Sequence, residues 1–383
     1  MPPEPRQKPK RPAADALERA ALGADPAPGE SSKWIPGLTA FTPAGEAARH
    51  TLDVRFAAVL RRFEDAAPAA KPERAADASV HAVHQLRVAT RRAGAALKAF
   101  APVMDKRRRK RAGSLLKSLR GAAAGARDAD VHADYFAGWF PVASATERSA
   151  IAFVLGALDH ERAVARSALA AARADHPEDA CLGTFRKALR GIDGSSAPPL
   201  ARFATGALAA AADAFQAAAR ADFSDFQRLH DFRIAGKRLR YALEVFAPCL
   251  PAERLDPLYD AVQGVQKRLG EVNDADNLLS RVRSLSDRRA GAELPPPPGV
   301  AAGLRELAHA LERRRERERS AFLRWWRGDG AAAALGPLGA VVAVPGVREP
   351  STNQNGGLSV GRGAVNVRAG DDTPSDAKGA KRA

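Results

Sequence analysis

Residues Val83–Pro102 read VHQLRVATRRAGAALKAFAP and residues Leu229–Pro248 read LHDFRIAGKRLRYALEVFAP; they align without a gap at an offset of 146, with nine of twenty positions identical. The same offset pairs Arg127-Asp128-Ala129-Asp130 with Asn273-Asp274-Ala275-Asp276. Weaker matches lie on both sides, Arg55-Phe56 with Arg202-Phe203 and Ala157-Leu158 through Arg166-Ser167-Ala168 with Ala310-Leu311 through Arg319-Ser320-Ala321. Self-similarity held in register over almost fifty residues is a sign of one supersecondary unit built twice.

Advancing 100° per residue from His84 sorts the first copy into two faces. Leu86, Ala89, Ala93, Ala96, Leu97 and Phe100 form an apolar stripe of the kind that packs into a bundle. His84, Arg87, Arg91 and Lys98 lie opposite, with Arg92 on the flank. The second copy gives Phe232, Ala235, Leu239, Ala242, Leu243 and Phe246 on the apolar side and His230, Arg233 and Lys237 on the other. Like charges at i,i+4 repel by about a few tenths of a kcal/mol, and no acid stands four residues from Arg87 or Arg233 to relieve it. A solvated basic face accounts well for one such helix. It accounts less well for His-x-x-Arg-x-x-x-(Arg/Lys)-Arg at corresponding places in two, and an anion-binding face is the better account.

The rest of the chain agrees with a helical reading. Of its 383 residues, 45% are apolar and 27% are charged. A chain of that length and composition can bury a sizeable core. Between 32 and 330, Ala, Leu, Arg and Glu dominate, and Pro and Gly clusters separate the periodic stretches. The breaks predict an all-α protein with helices near 45–64, 79–101, 106–124, 128–139, 145–174, 200–221, 225–247, 252–270, 274–289 and 300–327, and a bridging helix at 182–190. Residues 1–31 carry five basic and five acidic residues and read as a disordered tail; residues 331–383 carry six and four and read as a flexible one. Of the formal net charge of +16, the segment between the tails therefore holds +14. That distribution argues for a shaped basic surface and a polyanionic partner. Two cysteines, Cys181 and Cys249, are too few for a disulfide framework and fit a reducing, cytoplasmic compartment. No signal peptide or membrane-spanning run is read.

The two motifs resemble the signature of the CHAD family, the conserved-histidine α-helical domain. His84-Gln85-Leu86-Arg87-Val88-Ala89-Thr90-Arg91-Arg92 and His230-Asp231-Phe232-Arg233-Ile234-Ala235-Gly236-Lys237-Arg238-Leu239-Arg240-Tyr241 both fit it. A later family turn is well kept at Leu269-Gly270-Glu271-Val272-Asn273-Asp274-Ala275-Asp276 and degraded at Ala123–Asp130. Gly94 and Ala95 replace the Arg240 and Tyr241 of the second copy. The resemblance covers about residues 35–328. It implies two pseudo-symmetric antiparallel helical bundles, about 40–177 and 198–328, enclosing a basic groove or pore that binds inorganic polyphosphate, with an association with polyphosphate granules and their proteins. The triphosphate-tunnel domain carried by some members is not seen; the nearest string, Glu316-Arg317-Glu318-Arg319-Ser320, lacks the required Lys.

Polyphosphate carries roughly one charge per phosphate and no bases, so its receptor needs a track of cations, with Arg forks taking two oxygens and Lys acting as a point charge. The candidates are Arg87, Arg91 and Arg92 in the first motif and Arg233, Lys237, Arg238 and Arg240 in the second. Arg55, Arg202, Arg162, Arg166, Arg315 and Arg319 form a second tier because they recur at matching places. His84 and His230 are candidate imidazolium donors, a state that neighbouring Arg opposes and a bound polyanion favours; each also reads as a helix-start residue satisfying a carbonyl or carboxylate. Asp128, Asp130, Asp274 and Asp276 read as caps of new helices or as residues orienting a motif Arg, ahead of a magnesium site. The run Lys106–Arg111, KRRRKR, wraps around its helix, so it cannot all face one groove, and reads as a solvated, auxiliary polyanion patch. His81 and His84 lack the ligands for zinc, no Walker loop is present, and no nucleophile with base and orienting partner can be assembled. No metal, cofactor or catalytic residue is assigned. The competing readings are a nucleic-acid binder, disfavoured by few stacking aromatics, and a polyphosphate-processing enzyme.

Overall fold

The computed structural model describes residues 33–67, 80–192, 197–290 and 299–339, with side chains as far as 287 in the third stretch. The helices in chain order are α1 (Ala44–Ala66), α2 (Val80–Ala99), α3 (Lys106–Ala122), α4 (Ala124–Trp139), α5 (Ala145–Asp175) and α6 (Glu178–Arg190). They continue as α7 (Leu200–Ala219), α8 (Phe226–Phe246), α9 (Ala252–Ala290), α10 (Val300–Trp325) and the short α11 (Ala331–Leu335). Among the described residues there is no strand beyond two isolated bridges, Pro43 with Pro199 and Met104 with Ile192, and the protein is all-α. No described helix is long and apolar enough to cross a membrane.

Polar caps and prolines set the helix starts. Asp105 Oδ1 accepts the Arg108 N–H at 2.8 Å to open α3, and Asp225 accepts the Gln227 N–H at 2.8 Å to open α8. Ser144 with Glu147 forms a capping box on α5, so two otherwise orphaned N–H groups are satisfied reciprocally. The first turns of α1 and α7 satisfy each other. Ala44 N–H donates to Pro198 O at 2.9 Å, and Leu200 N–H donates to Thr42 O at 2.8 Å. Each helix start thus supplies the acceptor that the other lacks.

Two hydrophobic cores form. The larger collects α1, α2, α3, α6, α7, α8, the first half of α9 and the end of α10, with Phe56 stacked on Phe185 at 4.1 Å and Phe100 edge-on to Phe246 at 5.8 Å. The smaller joins α4 and the first half of α5 to the second half of α9 and the first half of α10, through Phe136, Ile151, Val154, Leu279, Val282 and Leu307. Each core draws on both halves of the sequence. The backbones of α5 and α10 come close at Gly303, where a Cβ would stand 2.4 Å from Thr146 O.

Three expectations are corrected. The helices predicted at 252–270 and 274–289 are one helix, α9. Within it Gly270 costs about 1 kcal/mol relative to Ala, while Leu269, Val272, Leu278 and Leu279 on either side are buried. Asp274 and Asp276 consequently lie in mid-helix, and Asp128 and Asp130 lie inside α4; the N–H groups around them are already bonded along the helix, so none of the four is a cap. The folded part also runs past 330: α11 follows directly, and Ala334 and Leu338 are buried against the larger core. The predicted N-terminal tail and the chain beyond 339 lie outside the described residues.

Candidate functional site

Helices α2 and α8, which carry the two motifs, pack on one another with Phe100 and Phe246 meeting at their C-terminal ends. Cations of the two helices there come within electrostatic range. Arg91 from α2 acts on Arg233 and Lys237 of α8, and Arg87 also acts on Lys237. Lys237 is half-buried; burial first, then Arg233, Arg91, Arg240 and Arg87, push its pKa down to about 7. Among the described residues, neither Lys237 nor Arg91 forms an ion pair or hydrogen bond.

The flanking cations are held by partners. In the first motif Arg87 Nη1 donates to Ala124 O at 2.9 Å and faces Asp128 at 3.3 Å. In the second, Arg233 Nη1 reaches Asn273 Oδ1 at 3.5 Å, and the Asp274 carboxylate attracts the guanidinium. Burial lowers the pKa of both arginines. Burial also raises that of Asp274, with Arg233 opposing. The His230 ring nitrogen Nδ1 stands 3.2 Å from Asn273 Oδ1. His84, by contrast, is pushed down to about 4 by burial and then by Arg127, His81, Arg91 and Arg87, so it is neutral at physiological pH.

Asp130 and Asp276, paired by the sequence alignment, hold arginines that the alignment also pairs. Arg162 Nε donates to Asp130 at 2.7 Å, and Arg315 Nη1 donates to Asp276 at 2.8 Å. Both arginines lie outside the two motifs, so these aspartates pair with second-tier cations. Around Asp276 a small recess of about 30 Å³ is lined by Phe226, His230, Arg233, Leu269 and Asn273 among others. The Arg315 guanidinium lies over the Phe226 ring at 4.2 Å and that of Arg319 at 5.5 Å, both within reach of the ring's negative face. Arg319 also donates to Ser224 O at 3.1 Å.

A separate ionic knot lies between the motif helices. Glu244, 1% exposed, accepts from Arg92 Nε at 2.8 Å and from Tyr259 Oη at 2.9 Å, with Arg240 Nε at 3.7 Å. Arg55, itself buried and donating to Lys33 O at 2.7 Å, is lowered to about 10 by burial and by Arg92, with Glu244 opposing. Arg92 and Arg240 are thus tied to a buried carboxylate whose charge also acts on Arg55. Arg238 and Arg202 are exposed, Arg166 is half-buried, and no contact among the described residues joins these three to Arg91 and Lys237. The sequence reading missed Glu244 and Tyr259. The available signal was that Glu244 stands four residues after Arg240, where the first copy has Lys98.

These features describe a helical protein that gathers cations from two packed helices and leaves two of them without a counter-charge. The chain belongs to the CHAD domain family, whose model matches residues 69–283. Among solved structures it is similar to the crystal structure of the CHAD domain from the plant Ricinus communis, 22% identical with a TM-score of 0.56, over 83% of this chain and 98% of that one. It is also similar to PptA from Streptomyces chartreusis, 19% identical with a TM-score of 0.50, over 75% of this chain and all of that one. No curated protein matches in sequence. The two structural likenesses concern the fold.

Proposed function

We propose that this protein binds inorganic polyphosphate without processing it, along a basic groove between two pseudo-symmetric helical halves. The observation that carries the reading is the Arg91–Lys237 cluster, where cations from both motifs share a half-buried space with no acid paired to either. Gathering such charges is unfavourable in the free protein and becomes favourable when an anion with closely spaced charges enters. Arg87 and Arg233, steadied by Asp128 and Asn273, offer N–H forks to successive phosphates, while Arg91 and Lys237 supply uncompensated charge. Arg162, Arg315 and Arg319 extend the track, with Arg166 beside it. Arg92, Arg240 and Arg55 brace the motif helices through Glu244. In this reading the protein works in the cytoplasm, at polyphosphate granules and with the proteins found there, and nucleic acid is a weaker competitor.

Calorimetric titration of the full chain with long-chain polyphosphate tests this, using a variant with Arg87, Arg91, Arg233 and Lys237 all changed to Ala and circular dichroism as the control for folding. Tight binding that collapses in a still-helical variant supports the reading; equal binding by both proteins refutes it. Displacement of bound polyphosphate by duplex DNA at low excess would favour a nucleic-acid role, and release of free phosphate an enzymatic one.

A further inference from the structure

The run Lys106–Arg111 takes no part in the cluster just described. It opens α3, whereas Arg87 binds Ala124 O just past the other end of that helix, where Arg120 also acts on it. At 1.5 Å per residue the two places are roughly 20 Å apart. Lys106, Arg107, Arg108, Lys110 and Arg111 are exposed, and among the described residues none forms an ion pair. Their place is electrostatically adverse, because the N-terminal end of a helix is already positive and Asp105 is occupied as the cap.

Other helices add to the same patch. Met104 bridges to Ile192, and Asp105 N–H donates to Gly191 O at 3.1 Å, which seats the start of α3 on the end of α6. A Cβ on Gly191 would stand 2.8 Å from Arg108 Cδ, so that side chain lies directly over the chain there. Arg49 of α1 donates to Ile192 O at 2.6 Å, and the exposed Arg190 ends α6. The cations of α6 complement the negative end of their own helix and need no ligand. Those of α3 have no such account. No aromatic side chain stands in the run, and Phe185 of α6 is buried, so the patch offers no platform for stacking a base. It fits a phosphate polymer without bases.

We propose that the start of α3, set on the end of α6, is a second polyphosphate-binding surface that grips a long chain already held at the Arg91–Lys237 cluster. The proposal rests on the polyphosphate reading above and adds a second point of attachment. Two linked attachments bind a chain that spans both more tightly than a chain that reaches one, by an effective-concentration gain.

The test is the affinity of the full chain for short-chain and for long-chain polyphosphate, compared with a variant carrying Lys106→Gln, Arg107→Gln, Lys110→Gln and Arg111→Gln. Gln keeps helix propensity, and circular dichroism checks the fold. The expected result is unchanged short-chain affinity and long-chain affinity lowered on the order of 10²-fold. The slope of log affinity against log salt for the long chain becomes shallower by roughly 3 for four lost phosphate contacts. Long-chain affinity equal to that of the unaltered protein overturns the proposal. So does an equal loss for both lengths, which would make the patch part of the first site, and so does a loss of duplex DNA binding alone. Failure of the underlying reading looks different, because the unaltered protein would then bind neither length, and both proposals would fall together.

Discussion

Lys237 gives the binding site a pH dependence that can be worked out in advance. In the free protein its pKa is pushed down to about 7 by burial and by Arg233, Arg91, Arg240 and Arg87, so it is about half charged at neutral pH. A bound polyanion favours the ammonium form, so binding above pH 7 takes up a proton and weakens as pH rises. Full uptake makes affinity at pH 8 about tenfold lower than at pH 6, and solvent screening of a partly exposed side chain reduces this to roughly threefold to tenfold. His84 adds little in this window because its pKa is pushed down to about 4. Terminal phosphates of the ligand titrate in the same range, so the informative quantity is the difference between this protein and Lys237→Arg, whose charge is fixed. Calorimetry from pH 6 to 8 with one polyphosphate preparation is expected to give a steeper fall for the Lys protein. Parallel slopes for the two proteins would refute the reasoning that places Lys237 beside the bound anion.

The same shift has a consequence for the free protein. Between pH 7 and about 10 the unfolded chain binds the Lys237 proton and the folded one does not, so this group makes stability rise with pH there, and the rise is expected to be smaller in Lys237→Gln by urea unfolding. Glu244→Gln leaves Arg55, Arg92 and Arg240 crowded without their carboxylate. It is expected to cost about 3–5 kcal/mol, read as a lower urea midpoint; a change under about 1 kcal/mol would mean the knot is idle. Asp130→Ala is expected to destabilise more than Asp276→Ala, because the Asp130 side chain is 6% exposed and the Asp276 side chain 43%. Equal losses would count against that burial argument. A fragment ending at residue 192 lacks the α9 and α10 side of the smaller core and is expected to show no cooperative melting, whereas a sharp transition would show that the halves fold separately.

The helical periodicity made much of the fold legible. Leu86, Ala93, Ala96, Leu97 and Phe100 were placed on one face by spacing alone, and all are buried. In the second copy Ala242 is only half-buried while Val245, off the stripe, is buried, because α8 is packed from several sides. Gly270 and Asn273 read as a turn by local propensity, and tertiary packing along α9 overrides them. Pairing across the chain was not readable. Arg92 meets Glu244 across 152 positions, and Arg315 meets Asp276 from another helix, distances over which spacing carries no information. The mixing of both halves in each core is likewise a matter of packing between distant segments.

The reciprocal bonds between the starts of α1 and α7 bear on how the chain is made. Ala44 waits for Pro198 as its acceptor, and Leu200 finds Thr42 already present. At a synthesis rate of about 5–20 residues per second, the first helix is on the ribosome for roughly ten to thirty seconds before its partner is made. During that interval the α1 side chains Phe56 and Phe63 lack the full core that later covers them. A chaperone that shields apolar helix faces therefore has its longest opportunity with the N-terminal half, and a pause in translation before residue 198 would prolong it.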